Sequence, residues 1–318
     1  MLHMKRKLKV YSKCNQLLED EFKQRRLYSM CALKSIIRRK KADDTQWKEQ
    51  LTASRENATA MQDASVEEIT TKPEAYARYL NMQADNPTYS PGNIALVIAQ
   101  KPDATIFATV QRWKDRGRYV LDSEQKEGVQ IFAKNPNGKG YILTSAYDIS
   151  QTNGREIKQP PQLENESKQM EAALTAVLNY SVAPLVEDEE LPVPAYYNEE
   201  QMELAINPNV SEREAFPYIV AEVAHARLHG KGYNAWYKRE ESELDAQSIS
   251  YIVCRRFGIE MDLPDMSKLQ ELYSGFEPAE RRSALDEIQK MSKSFGGSIE
   301  KSITPQKGKH PPAKSATR

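Results

Sequence analysis

The spacing of apolar residues changes its period along this chain, and the change limits the fold more than any other feature of the sequence. Residues 73–116 carry apolar side chains mainly at helical spacing, and Gly117 is expected to end the last of these helices as its C-cap. Three stretches then alternate as strands do, at 118–121, 129–133 and 141–149. After a polar segment the spacing is mostly helical again. The sequence therefore predicts an α+β protein, with a small α+β N-terminal module followed by a mostly helical domain.

The polar stretches between these patterns divide the chain into five expected parts. They are a basic and polar helical extension at 1–69, the α+β module at 70–155, a linker at 156–169, the helical domain at 170–296 and a disordered basic tail at 297–318. The linker is assigned from its polar composition and two adjacent prolines, and the tail from its Lys, Ser and Pro content. In the helical domain we expect short strands at 193–198 and 202–207, a helix that ends near residue 230 and another over about 241–257.

Charge and cysteine content limit the class of protein. Acids and bases balance at 45 each, so attraction to nucleic acid depends on where the charges lie. Residues 1–41 hold thirteen Lys or Arg and three acids, which fits either a solvated extension or a DNA-contacting arm. Cys14, Cys31 and Cys254 are odd in number and far apart, as expected in a reducing compartment. Because no stretch has the length and apolarity of a membrane span or a signal peptide, we expect a cytoplasmic protein with no membrane partner.

The segment Ala221-Glu222-Val223-Ala224-His225 is the strongest local sign of chemistry. A zinc-peptidase helix carries H-E-x-x-H, because two histidines four residues apart share one zinc while the glutamate polarises the bound water. Alanine stands here at the first ligand position, so Glu222 is assigned as a vestigial general base. Asp245 falls on the apolar side of the next helix pattern, where a zincin of the glutamate type supplies its third ligand.

Two interpretations of this segment stay open. The metal set of His225 and Asp245 is one ligand short of the usual three, and His229 is the remaining histidine outside the terminal segments. An active peptidase would therefore need a non-standard ligand set. Alternatively, His225 is a core histidine hydrogen-bonded to Asp245, with no metal. We expect no cofactor and no peptidase activity, and zinc is the metal whose presence would contradict this.

A group of basic and aromatic residues in the N-terminal module has the composition of a surface that binds single strands. The candidate DNA-binding residues are Arg112, Trp113, Lys114, Arg118 and Tyr147. Single strands are held by aromatic rings that stack on bases and by Lys or Arg along the phosphates. Trp113 alternatively anchors the core of its helix, which would leave Arg112, Lys114 and Arg118 as phosphate contacts.

Several separated blocks of the sequence resemble the ArdC antirestriction family. Residues 90–105, Trp113-Lys114, Gly117-Arg118 and residues 147–152 are similar, in order, to its N-terminal domain. Residues 221–229 and 248–258 are similar to the zincin-type domain that follows in these proteins, and most of all to the LtrC-like branch of conjugative plasmids and transposons. The resemblance covers about residues 70–155 and part of the helical domain.

This resemblance implies that residues 70–155 bind single-stranded DNA, that the protein protects incoming DNA during transfer, and that the helical domain descends from a metallopeptidase. The implied partners are single-stranded DNA and conjugation or DNA-processing proteins. The predicted function is that of an antirestriction-like, single-strand-binding accessory protein of a mobile element, with a zincin-like domain that lacks catalysis. The alternatives are an active zinc metallopeptidase with a non-standard ligand set and a structural interaction protein that binds neither DNA nor metal.

Overall fold

A computed structural model describes residues 2–230 and 234–304, with the side chains of 2–21 and 26–31 outside the description. His3, His310, Cys14 and Cys31 therefore fall outside the described side chains. Residues 305–318, which make up most of the predicted tail, are also outside the description.

Helices and strands are numbered in chain order. The helices are α1 (Leu2–Ile69), α2 (Pro73–Asp85), α3 (Pro91–Gln100), α4 (Val110–Asp115), α5 (Lys168–Leu178), α6 (Glu212–His229), α7 (Arg239–Arg256), α8 (Leu269–Leu272) and α9 (Pro278–Ile303). The strands are β1 (Phe107–Thr109), β2 (Arg118–Val120), β3 (Val129–Lys134), β4 (Tyr141–Asp148), β5 (Thr152–Gly154), β6 (Leu185–Glu187), β7 (Ala195–Asn198) and β8 (Glu203–Ile206). The α+β prediction is confirmed. Across the described residues, no helix combines the length and apolarity that crossing a bilayer requires.

The chain divides into two compact units, Met1–Asn57 and Ala58–Arg318. The first unit is the N-terminal part of α1, and all of its described side chains are exposed. Even Phe22 and Trp47 are exposed there. All the other helices and strands belong to the second unit.

The N-terminal module contains a three-stranded antiparallel sheet in the order β1, β4, β3. Side-chain amides of α3 complete the free edge of β3. Asn93 accepts a hydrogen bond from the N–H of Phe132 at 2.9 Å and donates to its carbonyl at 2.8 Å, and Gln100 pairs with Gln130 in the same way. These bonds satisfy backbone groups that an edge strand leaves unpaired. Strands β2 and β5 form a separate antiparallel pair directly after α4.

The remainder of the second unit combines a small mixed sheet with helices. Strand β8 lies between β6, which is parallel to it, and β7, which is antiparallel. Helices α6 and α7 pack against each other, and β7 packs on α6. This arrangement brings Tyr197 of β7 and the first turn of α7 to the same side of α6.

One hydrophobic core runs through both predicted domains. Its buried members include Tyr76 and Ile94 from the N-terminal module and Val177, Phe216 and Phe295 from the helical part. The two parts therefore fold around a common interior, so the chain has no core boundary between residues 155 and 170.

The prediction of a linker at 156–169 is wrong, because this segment is attached to the same core. Leu163 is fully buried, and its N–H donates to the carbonyl of Phe257 at 3.0 Å. Arg213 donates to the carbonyl of Leu163 as well. The polar composition and the prolines indicated an absence of helix, but one apolar side chain and its backbone bonds attach the segment to the protein.

The predicted disordered tail is corrected for its first residues. Helix α9 continues to Ile303, and residues 297–303 belong to it. Ile299 and Ile303 are buried in the common core. They lie four residues apart and on one helical face, which extends the apolar side of α9 beyond the point where the composition becomes polar.

Candidate functional site

Helix α6 carries the segment 221–225 into the interior. The helix starts at the Ser211 N-cap, whose hydroxyl accepts from the N–H of Glu214 at 3.3 Å, and it ends at Gly230 in the left-handed conformation. Glu222 and His225 lie on the side of α6 that faces β7 and the start of α7, and both are buried. The two side chains therefore belong to an interior polar network, whose outer members Arg239 and Glu243 line a pocket at the surface.

Glu222 is held by an arginine that the sequence analysis did not single out. Arg239 donates from Nη2 to Oε1 at 2.6 Å and from Nη1 to Oε2 at 3.0 Å, which is a two-bond fork. The N–H of Tyr197 donates to Oε2 at 2.7 Å. Since the side chain of Glu222 is only 7% exposed, its charge is balanced inside the protein by the guanidinium.

The backbone and rings of β7 fix Arg239 in this position. Its Nη1 also donates to the carbonyl of Tyr197 at 3.2 Å, and its Cζ lies 4.5 Å from the ring centroid of Tyr196. Burial opposes the charge of Arg239, but the hydrogen bond and negative charge of Glu222 outweigh it and raise the pKa of the guanidinium. Arg239 therefore stays charged and joins α6, α7 and β7.

His225 is fully buried, and both of its ring nitrogens have partners. Nε2 lies 3.2 Å from Oε2 of Glu243, and Nδ1 lies 3.1 Å from the hydroxyl of Tyr237. An ionised carboxylate only accepts, so Nε2 donates to Glu243 and, in the neutral ring, Nδ1 accepts from Tyr237. The hydrogen bond from His225 lowers the pKa of Glu243 to about 2, against the opposing effect of partial burial.

His229 lies one turn further along α6 and joins the same network through aromatic contacts. Its Nδ1 is 2.8 Å from the hydroxyl of Tyr197, and its ring stacks on Tyr237 with centroids 4.7 Å apart. Burial raises the pKa of Tyr237 well above its ordinary value. The rings of His225, His229 and Tyr237 thus form one continuous hydrogen-bonded and stacked group.

These side chains do not fit a zinc ion. Ala221 supplies no donor atom, both ring nitrogens of His225 are already engaged, and both oxygens of Glu222 are bound to the Arg239 cation. Among the residues that the structure describes, no group of three or more His, Cys, Asp or Glu side chains is arranged to hold a metal. The guanidinium of Arg239 supplies the positive charge next to Glu222.

The structure corrects the assignment of Asp245 as the partner of His225. Asp245 is two residues after Glu243, and two residues correspond to about 200° around a helix, so the two carboxylates leave α7 on opposite sides. Glu243 is the acid that contacts His225, whereas Asp245 lies toward α2 and α9. Burial, and secondarily the charge of Glu287, raises the pKa of Asp245 to about 7.

Two of the five predicted DNA-binding residues are interior side chains. Trp113 is fully buried, and its Nε1 donates to the carbonyl of Tyr147 at 2.8 Å. Tyr147 is buried as well, and its hydroxyl donates to the carbonyl of Gln125 at 2.7 Å. Together with Ala108 they form a small separate core. This corrects their assignment as stacking residues, because neither ring has a face open to a base, and Trp113 is the core anchor that its spacing allowed.

The three predicted basic residues lie at the surface or near it. Arg112 and Lys114 are exposed on α4. Arg118 is half-buried and donates to the hydroxyl of Thr152 at 2.8 Å and to two backbone carbonyls at 2.7 and 2.9 Å. Within the described side chains, no acid lies at ion-pair distance from these three residues. Arg112 and Lys114 are therefore open to an external anion, whereas each guanidinium nitrogen of Arg118 already donates to the protein and only its charge extends the surface.

Arg116 extends this basic surface, and Tyr119 on the following strand is a further exposed residue. Arg116 is exposed at the end of α4, with its Cζ 5.2 Å from the ring centroid of Trp113, and Tyr119 on β2 is 58% exposed. Tyr119 pairs in register with Asn153 of β5, in the pair of strands that follows α4. The strand alternation of residues 118–120 indicates the exposure of Tyr119, since it places this side chain on the side of β2 opposite the half-buried Arg118.

Comparisons with known proteins give distant similarities. No protein-family model matches the chain. An uncharacterized Bacillus anthracis protein, pXO2-81, is 23% identical over 287 residues, which cover 73% of this chain and 49% of that protein, so the chain spans about half the length of this curated relative.

Two solved structures are similar to the chain in backbone. The metal-free crystal structure of the antirestriction protein ArdC from plasmid R388 has a TM-score of 0.47 and 15% identity, and the match covers 75% of this chain and 97% of ArdC. The Mn(II)-bound structure of the same protein has a TM-score of 0.47 and 14% identity, with 78% and 98% covered. The structural neighbours of this chain thus include antirestriction ArdC proteins.

Proposed function

We propose that this chain is a cytoplasmic single-strand-DNA-binding accessory protein of a plasmid or other conjugative element, with an antirestriction-like role. The module at 70–155 binds the DNA, and the zincin-like part at 170–296 serves as a scaffold or as a surface for DNA-processing partners. The observation that carries the proposal is the set of exposed basic side chains on and directly after α4, Arg112, Lys114 and Arg116, in the part of the chain whose sequence blocks resemble the ArdC N-terminal domain.

The basic face, defined as Arg112, Lys114, Arg116 and Arg118, supplies the charges that such binding needs. Phosphates of a single strand lie along Lys and Arg side chains, and each contact releases counterions, which makes the affinity depend on salt. Arg112 contacts the hydroxyl of Thr88 only weakly, at 3.4 Å, and its Cζ lies 4.9 Å from the ring centroid of Tyr89. This guanidinium is therefore held in place by neutral groups and keeps its charge for a phosphate.

Exposed tyrosines take the stacking role that Trp113 and Tyr147 cannot take. Tyr119 on β2 is 58% exposed and Tyr141 on β4 is 62% exposed. Stacking of a base on an aromatic ring contributes about 1–3 kcal/mol and tolerates any sequence. Tyr119 lies on β2, the strand that follows α4, and its ring is therefore a candidate for stacking on a base of the same DNA strand.

We propose that the zincin-like part has no peptidase activity. A peptidase base needs a carboxylate oxygen that can accept a proton from a metal-bound water. Both oxygens of Glu222 instead accept bonds from Arg239, and Ala221 stands where the first zinc ligand would be. The salt bridge with Arg239 supports the absence of peptidase activity, because it engages both carboxylate oxygens of Glu222, the residue that would have to act as the base.

The proposed function is tested with the full chain and a labelled oligo(dT) in fluorescence anisotropy over a salt series. The variant R112Q/K114Q/R116Q should reduce the slope of log affinity against log salt by about 2, because each lost phosphate contact removes about 0.7 from the slope for single strands. The matched control is K290Q/K293Q/K301Q, which removes three exposed lysines from α9. An oligonucleotide affinity that is equally insensitive to both triple replacements would contradict the assignment of the basic face.

A further inference from the structure

A groove of about 570 Å³ lies between the end of α4, the segment after β5 and the C-terminal end of α7. Its lining includes five basic side chains and three acids. The basic residues are Arg116, Arg155, Lys158, Arg255 and Arg256. Most of this segment after β5 lies in the predicted linker 156–169, to which no function was assigned from the sequence.

Two of the three acids of the groove pair with the two arginines of α7, and the third, Glu156, lies between Arg155 and Lys158 in the sequence. Arg256 bonds to Glu300 at 2.6 Å, and Arg255 lies 3.4 Å from Asp85. For Arg116, Arg155 and Lys158, no acid lies at ion-pair distance within the described side chains. This side of the groove thus carries three basic side chains against one acid, Glu156, and the excess positive charge of the groove is concentrated there.

Two glycines shape this side of the groove. Gly154 has φ +128°, and a Cβ there would lie 2.4 Å from the carbonyl oxygen of Gly117, so only glycine allows the two strands to approach. A Cβ on Gly117 would in turn lie 2.8 Å from Cδ of Arg155. The stem of Arg155 thus packs on the turn that follows Arg116, which brings the two guanidinium-bearing residues to one wall.

We infer that this groove binds the phosphodiester backbone of single-stranded DNA, as a continuation of the basic face. Arg116 belongs to both surfaces, so a strand that contacts Arg112 and Lys114 can run past it to Arg155 and Lys158. Ile106 and Ile157 add apolar wall next to these charges, as sugars and bases require. The volume falls in the range of about 300–1,000 Å³ that ligand sites occupy. This inference rests on the proposed function, because it specifies the path of the same strand.

The inference is tested on the full chain with the variant R155Q/K158Q and labelled oligo(dT). Loss of two phosphate contacts should lower the salt slope by about 1.4 and the affinity at 0.1 M salt by roughly 25-fold, since each contact contributes about fivefold there. The control K290Q/K293Q should leave both quantities unchanged. Circular dichroism and urea unfolding verify that each variant is folded.

A second measurement needs no variant. Acetylation of Lys158 in the wild-type chain, followed by mass spectrometry, should slow at least tenfold when oligo(dT) is bound, whereas acetylation of Lys290 should be unaffected. Thymidine monophosphate at the same phosphate concentration should not protect Lys158. Equal protection by the mononucleotide would replace the inference with a small-anion site.

The outcomes separate the inference from the proposed function. If wild-type protein binds oligo(dT) but R155Q/K158Q binds it equally well, with Lys158 unprotected, the groove inference is wrong and the proposed function stands. If wild-type protein has no affinity for the oligonucleotide even at low salt, the proposed function fails and the path inferred for the strand fails with it.

Discussion

Removal of the Arg239 charge should destabilise the protein strongly, because it leaves the Glu222 carboxylate buried without its cation. The variant Arg239→Gln loses two hydrogen bonds of 2.6 and 3.0 Å to a side chain that is 7% exposed. Breaking a buried ion pair by removal of one partner costs about 3–5 kcal/mol. Since Arg239 itself is 20% exposed and the Tyr197 N–H remains bound to Glu222, we expect a loss at the lower end of that range.

A double-mutant cycle with Glu222→Gln isolates the pair. Single and double variants are unfolded in urea, with the fluorescence of the buried Trp113 as a probe, and their free energies of unfolding are compared. We expect a coupling energy of about 2 kcal/mol or more. The matched control is the exposed pair Lys238–Glu241, 2.6 Å apart, whose cycle should show no measurable coupling. A coupling between Glu222 and Arg239 as small as that of the control pair would refute the buried network.

Three further predictions follow from the carboxylates of α7. Asp245→Asn should stabilise the protein at pH 8 by up to about 4 kcal/mol. The reason is that the Asp245 pKa is about 7 in the native state instead of 3.8, so the wild-type protein loses stability as the pH rises between these two values. Urea unfolding at several pH values measures the gain, which should disappear near pH 4. Glu243→Gln should destabilise the protein at pH 7, because the lowered pKa of Glu243 stabilises the native wild-type protein at pH values above 4.5. The difference in free energy of unfolding between variant and wild type should shrink as the pH falls from 4.5 toward 2. Urea unfolding curves at pH 3 and pH 7 measure this difference. Ala221→His supplies the donor that is missing from α6, and a zinc ion would then replace the hydrogen bond between His225 and Glu243 with three ligands, the introduced histidine, His225 and Glu243. Metal analysis of this variant should find stoichiometric zinc that Glu243→Gln removes and Asp245→Asn retains.

The sequence predicted secondary structure better than it predicted the division into domains. The strands expected at 118–121, 129–133 and 141–149 correspond to β2, β3 and β4, because alternation of side chains is a local property of a strand. The common core is not local. Tyr76 on α2 and Phe295 on α9 are more than 200 positions apart, and neither one's surroundings in the sequence indicate that they share an interior. Linker composition therefore could not show that Leu163 is buried.

The candidate site was found by motif but its partners were assigned wrongly. The helical spacing placed Glu222 and His225 together in the interior, as a 3.6-residue period requires. The choice between Glu243 and Asp245 depended on how α7 is rotated against α6, which tertiary packing determines. Arg239 carried no signal, since an arginine in the first turn of a polar helix is ordinarily solvated.

A direct competition tests whether this chain prefers unpaired DNA and binds it through charge. Fluorescent oligo(dT) bound to the intact protein is challenged with unlabelled single strands and with duplex of equal phosphate content, at 50 and 200 mM salt. We expect single strands to displace the probe at a lower concentration than duplex does, and the higher salt to weaken the complex. Equal displacement by both competitors, or a complex indifferent to salt, would contradict it.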